Sequence, residues 1–153
     1  MELSSFLQQA NQQHGDRDAV VCEETHWSYP DLAKHATALA AGFQKLGLKP
    51  KDRVAILHRN CHRFMQAAFA TTLGGQTLVP LNLRLDPATL GEMLKDCGAK
   101  LLLCEAKFAT LASESAAKAG GNIRVMNVEE CAAADSRSFK PHQNSPEDIA
   151  QIY

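Results

Sequence analysis

The sequence predicts an α/β fold in which repeated βα units form a mainly parallel sheet flanked by helices, preceded by a short helix and a small hairpin. Three observations carry the prediction. Short continuous apolar runs at residues 53–57, 77–81, 100–104 and 123–126 have the length and bounding turn residues of strands buried on both faces. Between them lie longer stretches with apolar residues at helical spacing. Glycine stands where those helices must stop, at Gly47, Gly74-Gly75, Gly98 and Gly120-Gly121. Two buried strands joined by a helix run parallel, and the crossover is right-handed almost without exception.

The elements follow in order. Residues 2–13 place Leu3, Phe6, Leu7 and Ala10 on one stripe, ended by His14-Gly15-Asp16, which predicts a short amphipathic helix. Residues 19–22 and 25–28 read as a hairpin across Glu23-Glu24; with neither Gly nor Asn in the turn, its type stays open. Ser28 precedes a long helix carrying Leu32, Ala36, Leu39, Ala40, Phe43 and Leu46, which Gly47 closes. A Pro50-Lys51-Asp52 turn leads into the strand at 53–57. Asn60 is a good N-cap for the next helix, over 63–73, where Phe64, Ala67, Ala68 and Leu73 are apolar. The strand at 77–81 follows and is terminated by Pro80, which cannot donate to a ladder. Asp86-Pro87 caps a helix through Lys95, and Cys97-Gly98 ends it. After the strand at 100–104, residues 106–117 form an alanine-rich helix with Phe108 and Leu111 on one side, and 123–126 is a further strand.

From Val128 the chain is polar, punctuated by Pro141 and Pro146, and without periodicity. The division read from this pattern is an N-terminal βα subdomain over residues 1–127, a connecting loop over 128–147, and, at 148–153, the first strand of a truncated following subdomain. That last strand is expected in a sheet away from the preceding units, poorly ordered or borrowing a partner.

Composition narrows the classes of function. Sixteen basic against seventeen acidic side chains leave a net charge of −1, which argues against a surface that tracks nucleic-acid phosphates, and no basic partner-binding patch is evident in the sequence. No apolar run approaches the roughly 18 residues of a membrane span, and the first fifteen residues lack a cationic start followed by an apolar block. The expected location is the cytoplasm. Five cysteines, odd in number and without a Cys-x-x-Cys pair, indicate neither a disulfide framework nor a zinc site.

No catalytic, cofactor-binding or metal-ligating residue is assigned from the sequence. The glycine pairs Gly74-Gly75 and Gly120-Gly121 sit at predicted helix C-termini, where the dipole is negative, and match no phosphate-binding pattern. His58, Cys61 and His62 have the i, i+3, i+4 spacing of one helical face, yet they span a predicted strand-to-helix turn with no carboxylate nearby in sequence, so the structural reading outweighs a metal site. Cys61 and His62 are adjacent, and adjacent residues rarely orient as a nucleophile and its base. His58, Arg59, Asn82 and Arg84 lie at the ends of predicted strands and are read as turn, cap or surface residues. Trp27 and Tyr29 are read as anchors between hairpin and helix, not a stacking platform, and Phe64, Met65 and Phe69 as core.

Three stretches resemble a known family. Trp27-Ser28-Tyr29-Pro30-Asp31-Leu32, then Gly47-Leu48 with Lys51-Asp52-Arg53-Val54-Ala55-Ile56, then Gly74-Gly75-Gln76-Thr77-Leu78-Val79-Pro80-Leu81-Asn82 occur in an order and spacing similar to the start of the adenylate-forming acid–CoA ligases. Asp148-Ile149-Ala150-Gln151-Ile152-Tyr153 resembles the strand that in that family leads into a Ser/Thr/Gly-rich phosphate-binding loop. The resemblance implies an N-terminal fragment of an acyl-CoA synthetase. The full-length enzyme would use ATP, magnesium and coenzyme A to convert a carboxylic or fatty acid into its acyl-adenylate and then its thioester. The family's phosphate loop, nucleotide contacts, magnesium ligand and catalytic lysine fall beyond Tyr153, so this chain alone is expected to be inactive and to need the remainder of its catalytic domain as partner. The alternative expectation is a non-catalytic βα interaction or scaffold module, dimerising through an exposed sheet edge.

Overall fold

The computed structural model of the chain describes residues 3–153. The first helix, α1, covers Leu3–His14; Glu2, the expected first residue, lies outside the described residues. Leu7 and Ala10 are buried on the predicted stripe, whereas Phe6 is 52% exposed, so the buried face is narrower than the sequence suggested. Strands β1 (Asp18–Cys22) and β2 (Thr25–Ser28) pair antiparallel as the hairpin. Its turn is made by Glu23, which takes a positive φ of 53°. Helix α2 (Tyr29–Lys45) begins directly at Ser28, whose hydroxyl accepts the Asp31 amide N–H at 3.2 Å while the Asp31 carboxylate accepts the Ser28 N–H at 3.1 Å.

Beyond α2 the βα rhythm runs as β3 (Arg53–Leu57), α3 (His62–Gly74), β4 (Thr77–Pro80), α4 (Pro87–Cys97), β5 (Ala99–Cys104), α5 (Ala109–Ala119) and β6 (Arg124–Asn127). Two starts differ from expectation. The N-cap of α3 is Cys61, not Asn60, and it makes no side-chain cap hydrogen bond. A single 3₁₀ turn at Ala106–Phe108 delays α5 to Ala109. Residues 128–131, expected as loop, form a short helix, α6 (Val128–Cys131), which starts where the Glu130 carboxylate accepts the Asn127 N–H at 3.4 Å. Val128 and Cys131 are its buried pair, and burial pushes the Cys131 thiol up to about 12, so it packs as a neutral apolar group.

All four strands of the main sheet are parallel, in the order β4-β3-β5-β6. Alternate residues feed two cores. Val54, Ile56, Leu78, Leu101 and Leu103 face α2, α3 and α6, while Ala55, Leu57, Val79, Leu102 and Cys104 face α4 and α5. Both faces are covered, which is why the strands read as unbroken apolar runs. The chain steps from β3 to β4 with α3 on the first face, then back past β3 to β5 with α4 on the second. A right-handed crossover that reverses its direction along the sheet must change face.

The end of the chain stays with this sheet, contrary to the expectation of a sheet away from it. Leu78 donates its N–H to Ala150 O at 3.0 Å and accepts the Ile152 N–H at 3.0 Å, making a parallel bridge to Gln151 on the open side of β4. The connecting segment is strapped over the end of α3: His142 N–H donates to Leu73 O at 2.7 Å and the Asn144 amide donates to Thr72 O at 2.8 Å. Among the described residues no helix is long and apolar enough to cross a membrane.

Candidate functional site

Ligands in open α/β sheets sit beyond the strand C-termini where neighbouring strands send their helices to opposite faces. Here that point lies between β3, followed by α3, and β5, followed by α5. A crevice of about 230 Å³ opens there, with Cys22 and Thr25 of the hairpin on one side and His58, Arg59, Cys61 and Glu105 on the other.

Glu105, the first residue after β5, is the hub. Its carboxylate accepts Arg59 Nε from both oxygens, at 3.1 and 3.2 Å, and meets Arg59 Nη2 at 3.0 Å, Lys107 Nζ at 3.5 Å and His58 Nδ1 at 3.7 Å. Burial pushes the Glu105 carboxyl up, but the Arg59 hydrogen bond and the surrounding positive groups outweigh it and hold the group below its usual range. The same pairing raises Arg59. His58 is 7% exposed; its Nδ1 also lies 3.1 Å from the carbonyl of Arg59 and 3.6 Å from Cys61 Sγ. One ring nitrogen thus faces thiol, carbonyl and carboxylate together. A nucleophile–base–orienter relay needs the two opposite nitrogens of the imidazole, so this arrangement orients the thiol without forming a triad.

Behind the crevice lies an aromatic cluster. Trp27 of β2 stacks on His35 of α2 at 4.1 Å between ring centroids and meets His62 edge-on at 4.7 Å, with the Arg63 guanidinium 5.4 Å from the indole centroid. Gln66, fully buried, ties the cluster to α2 by donating to His35 O at 2.9 Å and accepting from Arg63 Nη1 at 3.0 Å. Arg63 Nε also pairs with Glu129 at 3.1 Å. Burial, and then the Arg63 charge, hold His35 and His62 below the ordinary imidazole range, and His62 Nδ1 is buried without a hydrogen-bond partner.

The three residues at metal-ligand spacing do not converge: His58 belongs to the turn, Cys61 caps α3 and His62 points to Trp27. Among the described residues no group of three or more His, Cys, Asp or Glu could hold a metal ion. Gly75 and Gly120 are left-handed helix ends, at φ 75° and 69°. Asn82 accepts the Arg84 N–H at 3.0 Å in an exposed turn. Trp27 does join hairpin to helix, and Phe64 and Phe69 pack on the core, but Met65 is 38% exposed above a small apolar hollow with Phe69 and Leu78. Sequence reasoning missed Glu105, Glu129, Gln66 and His35. A carboxylate directly after an apolar strand was the one available signal, because strand C-termini are where open sheets place their polar groups.

Phosphate binding needs free amides at a helix N-terminus. Those of α2 and α4 are occupied: Ser28 takes the Asp31 amide, and the Asp86 carboxylate takes the Ala88 and Thr89 amides at 2.9 and 3.1 Å, whereas α3 and α5 have no side-chain cap. The carboxylates of Asp31 and Asp86 would repel a phosphate there. In the crevice both arginines already have carboxylate partners. The site is therefore a charge-balanced brace between strand ends, open to solvent through a small groove.

A family model described as AMP-binding enzyme matches residues 6–153. The chain is 30% identical over 139 residues to the fatty acid–[acyl-carrier-protein] ligase ScoC of Streptomyces coeruleorubidus, an alignment covering 88% of this chain and 27% of that protein. It is 45% identical over 68 residues to the 2,3-dihydroxybenzoate-AMP ligase of Bacillus subtilis (strain 168), covering 44% of this chain and 13% of the ligase. The structure superposes on the N-terminal subdomain of NpsA from Klebsiella oxytoca, in complex with 3-hydroxybenzoyl-AMSN, with a TM-score of 0.85 and 25% identity, over 99% of this chain and 37% of that one.

Proposed function

This chain belongs to the AMP-binding enzyme family, and from that premise we propose that it is the N-terminal part of an ATP-dependent acid–thiol ligase of the cytoplasm. The whole enzyme would convert a carboxylic or fatty acid to its acyl-adenylate and pass the acyl group to coenzyme A or a carrier thiol. The observation that most supports this is the pairing of a family match over residues 6–153 with relatives, named as acid–AMP and acid–carrier ligases, of which the chain spans 13% and 27%. Residues 1–127 would be the βα subdomain, 128–147 its connection, and 148–153 the lead into the next subdomain.

ATP, magnesium and coenzyme A are assigned to residues outside this chain, and two features of its described residues support that reading. The N-termini of α2 and α4 are closed by hydroxyl and carboxylate groups, and no metal-ligand cluster is present among them. The chemistry is accordingly assigned to the rest of the domain, and this chain's part is to present a rigid sheet against which that rest is built. A self-associating scaffold has less support at β4, where residues 150–152 already pair with the free side; the outer side of β6 is the sheet's other edge.

ATP–pyrophosphate exchange with benzoate and with dodecanoate tests the reading on two proteins: the 153 residues alone, and the same chain extended by its downstream coding sequence. Exchange by the longer protein only is expected. Exchange by the 153 residues overturns their incompleteness. A stop codon directly after Tyr153, or an extended protein inert toward aliphatic and aromatic acids alike, overturns the ligase assignment.

A further inference from the structure

The opposite, N-terminal edge of the sheet carries a second groove, of about 320 Å³, where α2 ends short of the strands beneath it. Its apolar wall is Leu46 and Leu48, half-buried over the core residue Leu101, and Lys49, Lys100 and Arg124 also line it. Leu101 and Arg124 are cross-strand partners, so the Arg124 side chain stands on the face that α2 covers. The three cations come from the α2–β3 turn, β5 and β6, and among the described residues none has a carboxylate within salt-bridge distance, as is also true of Arg17, Lys34, Arg53 and most other basic residues of the chain. Asp52 is the one acid of the lining, and its carboxylate accepts the Lys49 backbone N–H at 2.8 Å. Three positive side chains against the Asp52 carboxylate and the negative end of α2 leave the groove net positive.

We propose that this groove binds an amphiphilic anion, with a carboxylate or phosphate head held by Lys49, Lys100 and Arg124 and an apolar body laid over Leu46 and Leu48. Its volume lies at the small end of ligand pockets, which run from roughly 300 Å³ upward. Uncompensated like charges around an apolar wall gain from such a ligand on both counts: the head removes their mutual repulsion and the body covers exposed carbon. The site lies on the far edge of the sheet from the β3–β5 crevice and does not depend on the ligase reading.

Amide-resolved NMR titration of the 153-residue protein with octanoate, octyl phosphate, octanol and inorganic phosphate tests the proposal. Both amphiphilic anions should give saturable shifts at residues 46–52, 100–101 and 122–124, weakening as salt is raised. Octanol and inorganic phosphate, each lacking one half of the ligand, should bind at least about tenfold more weakly, a difference of about 1.4 kcal/mol. Lys100→Glu with Arg124→Glu, both at exposed positions, should abolish saturation while leaving the rest of the spectrum in place. Equal binding of octanol, shifts centred on Met65 and Phe69, or octanoate binding that is indifferent both to salt and to the charge reversals overturns it. The salt series on the unaltered protein decides the matter if the double variant does not fold.

Discussion

Trp27 lies between two imidazoles and a guanidinium, and that placement makes the cluster sensitive to acid. Burial, and then the Arg63 charge, disfavour the protonated forms of His35 and His62 and hold both below the ordinary 6.5. In the unfolded chain each titrates near 6.5, so below that pH the unfolded state binds more protons than the folded one. The stability these neutral histidines support is fully present above about pH 6.5 and is lost as pH falls toward their folded values. Denaturation midpoints should therefore drop between pH 7.5 and pH 5, and His35→Gln with His62→Gln should flatten the slope. A midpoint independent of pH in that window would show that the imidazoles stay as solvated in the fold as outside it. Glu105 acts lower on the scale: its depressed carboxyl supports the fold above its unfolded value and fails only in stronger acid.

Helices α2 and α6 meet with backbone against side-chain space. A Cβ built at Gly42 would collide with the carbonyl oxygen of Cys131, and neither helix can yield without opening the core between them. Gly47, by contrast, has φ 80° and nothing within 4 Å of its would-be Cβ. Gly42→Ala should cost about 1–3 kcal/mol through overpacking, and Gly47→Ala about 1–2 kcal/mol through left-handed strain alone. Urea denaturation of the two variants separates the mechanisms, since only Gly42→Ala should also perturb the Cys131 environment in NMR spectra. Equal spectra from both would mean that α6 moves aside freely. Of these two glycines the sequence announced only Gly47, because a helix-ending glycine is written in local pattern while a glycine at a helix crossing looks like any small residue on an alanine-rich face.

Across the molecule, the segment carrying Ala150 and Ile152 closes the outer side of β4, held by two backbone hydrogen bonds, by Thr77 Oγ1 donating to Ile149 O at 2.8 Å, and by the Lys51–Asp148 pair at 3.3 Å. A chain ending at Pro146 leaves that edge open, and an open parallel edge templates pairing with another chain. Sedimentation should find the 153-residue protein monomeric and the shortened chain associating as concentration rises. A shortened chain that remains monomeric would remove the edge-covering role of residues 148–153. The sequence by itself determined the βα order, the parallel sheet, the capped helices around Ser28, Asp86, Gly75 and Gly98, and the family, because apolar period, caps and motif words are local and survive without a partner. Only the tertiary structure decided that Glu105 meets Arg59 and His58, that Lys49, Lys100 and Arg124 share a groove, and that residues 150–152 join the first sheet. Glu105 lies 46 residues from Arg59, Lys49 lies 51 from Lys100 and Gln151 lies 73 from Leu78, and strand order along a sheet, which brings them together, leaves no periodic trace in the chain.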